Sequence, residues 1–269
     1  MKLILVILTL TCSAIFTSYA AAEETLPSVE FHDMRRVGQA EVADALSPLT
    51  LLMKDGSIIQ MVGIDIPGMH IENSSVLAVT ARDILKDMLA GQRVEIYQTK
   101  DKNVGLQNRM GHALAQLKLV KDDIWVQGVL LKLGLARVKT SAENAHMADE
   151  MLALEAAARK DKIGIWADDA YQILTPEEAQ DALGDFAIVE GRIESVALKK
   201  NRIYINFGKD WKSDFTVSIA PEDKRAFSKV KLDLLNMGGT RVRARGWLRD
   251  YNGAYMEVTH PAALEIIKE

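Results

Sequence analysis

Two apolar runs, residues 49–53 and 58–64, stand on either side of Lys54-Asp55-Gly56-Ser57. Asp-Gly between apolar runs supplies the backbone angles of a tight hairpin, which commits this part of the chain to an antiparallel strand pair. The next segments keep to the same short scale. Residues 75–90 carry Leu77, Ala81, Ile84, Leu85 and Met88 at helical spacing, with Ser74 or Ser75 as cap and Gly91 as stop. Residues 93–99 alternate as a strand, and residues 111–119 form another. A short helix is expected over 124–133, stopped by Gly134, then a brief extended piece at 135–138. A long helix is expected over 142–160, with Met147, Met151, Leu154 and Ala158 on one side and Trp166 tucked beneath.

The remainder reads as a second unit. Residues 186–196, 203–207, 215–219, 240–248 and 254–258 look like five short strands, with a helix over 221–229 between the third and fourth. Asn252-Gly253 makes a turn before the last. That layout is the one an OB-type barrel uses. The expected division is a signal peptide at 1–22, an irregular arm at 23–40, a first domain at 41–170, a linker at 171–184 and a second domain at 185–269.

Residues 1–22 are of different material. After Lys2 the chain is apolar from Leu3 to Leu10, and small residues lead to Ala20, Ala21 and Ala22. A charged start, a short apolar core and an A-x-A exit are the parts of a secretory signal, so the expected location is periplasmic or secreted. The sole cysteine, Cys12, lies in this segment, which leaves no thiol chemistry and no disulfide to the mature chain. A formal net charge of −4 argues against coating nucleic acid by bulk electrostatics, although a local basic patch stays open.

Three ordered segments carry a family resemblance. Lys54-Asp55-Gly56 runs into Val62-Gly63-Ile64-Asp65-Ile66-Pro67. Trp125-Val126-Gln127 leads to Gly134-Leu135-Ala136-Arg137-Val138. Residues 152–166 read LALEAAARKDKIGIW. Together they resemble the staphylococcal nuclease (thermonuclease) family. The resemblance implies a β-rich α+β fold: an OB-type five-stranded barrel with three helices, here followed by a second small OB-like β-barrel. It also implies phosphodiester hydrolysis with calcium, which takes oxygen ligands, and two arginines that neutralise the transition-state phosphate.

Placed against that pattern, most of the chemistry-bearing positions are substituted. Asp65 matches the second metal-binding aspartate. The first falls at about Leu49. Gln60 and His112 stand where the two arginines belong, His112 within Asn108-Arg109-Met110-Gly111-His112, and Gly68 stands where a carboxylate is expected after Pro67. Asp44, Asp55, His70, Glu72 and Arg109 lie near these positions in sequence and are either rescuing ligands or solvated loop residues. Asp65 itself is either a partial metal ligand or a brace at the strand end. Calcium is the expected cofactor only if such a site works, and the alternative to a binding role is a divergent metal-dependent nuclease.

In the second unit Arg241, Arg243 and Arg245 alternate with small apolar residues, so they share one strand face. Arg192, Lys199, Lys200 and Arg202 are expected nearby, with Tyr204, Phe207, Trp211 and Trp247 as aromatic surfaces. Cations beside stacking rings suit single-stranded nucleic acid. The competing expectation is a solvated outer face paired with Asp210, Asp214 or Glu257. An envelope protein is the other expected partner. Asn206-Phe207-Gly208, Asp214-Phe215-Thr216-Val217 and Arg245-Gly246-Trp247 resemble tails found on thermonuclease-like proteins, which implies no catalytic role.

Overall fold

The computed structural model describes residues 25–69, 74–210 and 213–268. The expected signal segment, His70, Glu72 and Trp211 lie outside the described residues.

The first unit is organised around β1 (Met34–Ser47), long enough for one strand to serve two neighbours. From Val42 onward it pairs with β2 (Thr50–Met53), which turns through Asp55-Gly56 into β3 (Ile58–Met61). After β4 (Gly63–Asp65) and α1 (Val76–Leu89), β5 (Arg93–Thr99) pairs with residues 34–41 of β1. β6 (Ala113–Leu119) runs antiparallel to β5 and parallel to β3. That last pairing closes β1-β2-β3-β6-β5 into a five-stranded barrel. Residues 34–40 were expected as an irregular arm and are instead half of its longest strand. Arg35, Arg36, Val37 and Gln39 are all exposed, with Arg36 paired to Glu95 at 2.7 Å, so the alternation of apolar and polar residues is faint there.

Alternation along the strands sends Val42, Leu51, Met53, Ile59, Met61, Val94, Ala115 and Leu117 into the barrel, where all are buried. Each of these side chains larger than alanine contributes roughly 1.5–3 kcal/mol if fully buried. α1 lays Ala78, Ala81, Leu85 and Leu89 on the core, and the Ser75 hydroxyl accepts from Ala78 N at 3.1 Å to cap its start. β7 (Ile124–Trp125) adds to β6, so α2 (Val126–Lys132) is shorter than expected. Gln127 is wholly buried yet satisfied: its amide donates to Ala115 O at 2.9 Å and accepts from Leu117 N at 3.1 Å. β8 (Arg137–Lys139) pairs with β4 as a separate two-stranded ribbon outside the barrel. α3 (Ala148–Lys160) starts six residues later than expected, since Asn144 donates to Gly105 O and ties the preceding turn to another loop. Gly134 ends α2 at φ +61°, where a Cβ would sit 2.1 Å from Ile163 O, so the exits of α2 and α3 pack backbone to backbone.

The second unit comprises β9 (Phe186–Arg192), β10 (Ser195–Lys199), β11 (Arg202–Asn206), β12 (Thr216–Ile219), α4 (Lys224–Lys229), β13 (Arg241–Asp250), β14 (Ala254–Glu257) and β15 (Leu264–Ile266). The sheet runs β10-β11-β12-β14-β13, with β12 and β14 parallel and both β9 and β15 on β13. Two features depart from the five expected strands: the first is split at residues 193–194, and β15 is additional. Residues 171–184, expected as a linker, are packed on this unit. Leu174 bridges Val189, and Ala179 is buried in the second core. A capping box sets the path there, with Thr175 N donating to Glu178 Oε2 and Glu178 N donating to Thr175 Oγ1. Ile188 of β9 joins Ala158, Ile165 and Trp166 of the first unit in a cluster of its own. No helix among the described residues is long and apolar enough to cross a membrane.

Candidate functional site

Asp65 ends β4, directly across the ribbon from Arg137. Arg137 Nε donates to Oδ2 at 3.0 Å and Lys139 Nζ to Oδ1 at 3.2 Å, so both oxygens of the carboxylate are held by cations from β8. A calcium ion needs several oxygen ligands converging on one point. Among the described residues no group of three His, Cys, Asp or Glu side chains could hold a metal. The neighbours that might have rescued such a site are engaged elsewhere: Asp44 pairs with Lys86 at 3.1 Å, and Asp55 accepts from Ser57 Oγ and N within its own turn. The Ser57 hydroxyl bond, followed by the Ser57 backbone bond, holds the Asp55 carboxyl below its ordinary range.

The four positions expected to depart from the family pattern each have a defined local setting. Leu49 is buried in the barrel core. Gln60 and His112 are brought to one turn by Asn108, whose amide donates to Gln60 Oε1 at 2.6 Å and whose Oδ1 accepts from His112 N at 3.0 Å. Neutral hydrogen bonds thus join the two positions where the resemblance leads one to expect arginines. Arg109 sits exposed in the same turn. Gly68 has φ +72°, and a Cβ there would lie 2.6 Å from Ser75 Oγ and 2.7 Å from Ser75 Cβ, against the cap of α1. Introducing a carboxylate with Gly68→Glu is expected to lower stability by about 1–3 kcal/mol through left-handed strain and displacement of that cap. A thermal melt unchanged by the substitution would contradict this account.

The second unit covers the cations that hold Asp65. The Arg137 guanidinium carbon lies 4.8 Å from the Phe186 ring centroid, and Lys139 Nζ lies 5.2 Å from that ring and 4.9 Å from the Trp247 ring. Each such contact is worth about 0.5–2 kcal/mol depending on desolvation. Lys139 therefore touches one carboxylate and two rings at once.

Arg241, Arg243 and Arg245 do share a face of β13, and its cations pair with Glu190, Glu155 and Glu265 rather than with the expected Asp210, Asp214 or Glu257. Arg241 and Arg243 pair with Glu190 at 2.7 and 2.6 Å, and Arg243 also approaches Glu265 at 3.6 Å. Arg245 has a side chain only 1% exposed and spans the two units. It donates to Glu155 Oε1 and Oε2 at 3.1 Å each, to Glu265 Oε1 at 2.7 Å and to Val138 O at 2.9 Å. Neither Asp210 nor Asp214 is their partner, and Glu257 is held by Arg202. Trp247 keeps half its surface, at 50% exposure.

Glu155 and His260 went unnoticed as site residues. Glu155 is fully buried on α3. Val138 N donates to its Oε2, and Arg159 Nη1 donates to its Oε1 at 2.9 Å. Burial is the largest single influence and would raise its carboxyl, but the charge and hydrogen bonds of Arg245, the Val138 amide and the charge of Arg159 together hold it low. The available signal was spacing: Met151, Glu155 and Ala158 follow one another at helical intervals on the apolar side. His260 is buried between Thr140 Oγ1 at 2.7 Å from Nε2 and Thr259 Oγ1 at 3.1 Å from Nδ1. Burial pushes its imidazole down to about 4, so it is neutral at pH 7.

Residues 58–168 match the family model described as "Staphylococcal nuclease homologue", less than half of the chain. That stretch runs from β3 past the end of α3, and the residues before it supply β1 and β2 of the same closed barrel. No curated protein matches the chain.

Proposed function

With a staphylococcal-nuclease-like domain as the premise, we propose that this chain is an exported, non-hydrolytic interaction module in which the former metal-binding position has become a brace between two units. The observation that carries the proposal is Asp65: both its oxygens are engaged by Arg137 and Lys139, and the second unit's rings lie over those cations. A metal would have to displace two cations from the one carboxylate the family pattern retains. The chemistry left is recognition, with single-stranded nucleic acid the ligand class favoured by cations beside an exposed ring. An envelope protein is the competing occupant.

The test incubates the chain lacking residues 1–22 with single- and double-stranded DNA and RNA in calcium, magnesium, manganese or chelator. The expected result is intact substrate in every condition. Metal-dependent cleavage that disappears in Asp65→Ala would overturn the proposal and install the divergent nuclease in its place. Export is tested separately, by locating the full-length chain in fractionated cells and sequencing its mature N-terminus, expected after Ala22 or Ala20.

A further inference from the structure

Between the two units lies a cleft of about 260 Å³, walled by Lys139 and Thr140 on one side and by Trp247, Arg249, Thr259 and His260 on the other. We propose that this cleft binds a nucleoside phosphate, as a free nucleotide or as the end of a strand, with the base on Trp247 and the phosphate on Arg249. The inference rests on the reading of the chain as a recognition module and places its ligand away from Asp65.

Five observations support it. Trp247 is half exposed although it stands at the junction of two domains, where an aromatic ring is ordinarily covered. Its edge contact to Phe186, with centroids 6.1 Å apart and planes at 77°, fixes the ring in place. Arg249 lies two residues further along the same face of β13. It is exposed and forms no ion pair among the described residues, unlike Arg241, Arg243 and Arg245. Glu257, the acidic residue on the cleft wall, is tied to Arg202, and His260 is locked neutral between two threonine hydroxyls, so neither competes for the cation. Lys139 adds a second positive charge at the ring.

Size and chemistry narrow the ligand. At roughly 30 Å³ per water, the space corresponds to about nine waters, enough for one ring system with an attached anion. Stacking supplies sequence-tolerant affinity, and a guanidinium fork matches phosphate oxygens in a way a lone ammonium does not. A purely apolar ligand would leave Arg249 without a role, and a bare anion would leave Trp247 without one.

Isothermal titration in chelator, so that hydrolysis cannot intervene, would compare adenosine 5′-monophosphate, adenosine, inorganic phosphate and a short oligothymidylate with and without a 5′-phosphate. The nucleotide is expected to bind, with affinity falling about tenfold or more in Arg249→Gln and in Trp247→Leu. Arg249 forms no ion pair among the described residues, so its variant should melt with the parent and keeps the test valid if Trp247→Leu is destabilised. Tighter binding of the 5′-phosphorylated strand than of the nucleotide assigns the site to strand ends, and the reverse assigns it to free nucleotide. The proposal is overturned if the nucleotide does not bind, if Arg249→Gln binds it as the parent does, or if inorganic phosphate binds equally well. Cleavage in the metal assay would defeat the non-hydrolytic reading while leaving this measurement intact.

Discussion

Arg245→Ala is expected to lower the stability of the folded chain by about 3–5 kcal/mol, the usual cost of removing one partner from a buried ion pair. Glu155 would remain fully buried with Arg159 as its remaining cation, and Glu265 and Val138 O would each lose a donor. Urea unfolding checks this through the midpoint. The paired substitution Arg245→Met with Glu155→Met separates the cost of an orphaned charge from the worth of the pair. Apolar replacements of similar volume are often neutral for stability, so the double variant should recover most of the loss. A single variant within about 1 kcal/mol of the parent would show that the network does not hold the units together.

The second large effect is a dependence on pH. His260 has its folded pKa depressed from 6.5 to about 4. Between those values the unfolded chain binds the proton and the folded chain does not, so stability is complete above about pH 6.5 and is lost as pH falls toward 4. At 1.36 kcal/mol per unit, the loss is about 3 kcal/mol. Glu155 also contributes in acid: its carboxyl is held low, so its stabilisation is present above the ordinary glutamate value and is lost as pH falls through the folded one. The two contributions separate in a comparison with His260→Gln, whose amide can still bond Thr140. Stability of that variant should be flatter between about pH 6.5 and 4 and should match the parent's slope only below that. Identical profiles across the whole range would remove His260 from the account.

Much of the fold was legible because its signals are local. Asp55-Gly56 forces a turn wherever it is found between apolar runs, and Ser75 caps α1 with its own hydroxyl. The alternation in residues 241–247 placed three arginines on one face of β13, and they are there. Residues 34–40 were missed because three successive exposed residues, Arg35, Arg36 and Val37, break the period. Residues 171–184 were missed because what orders them is a contact with β9, not a pattern of their own.

What the sequence by itself determined was the kind of residue standing at each position: an aspartate at 65, no arginine at 60 or 112, no carboxylate at 68, and a row of cations on one strand. Only the tertiary structure decided what those groups touch. Asp65 meets Arg137 and Lys139, more than seventy positions away, and Arg245 meets Glu155, ninety positions away. The vacancy at Gly68 follows from the placement of Ser75 against it. Side-chain periodicity reports which face of an element a residue occupies. The charge and bulk waiting on the opposite face belong to other elements, and they determine whether a cation binds a ligand or the protein itself.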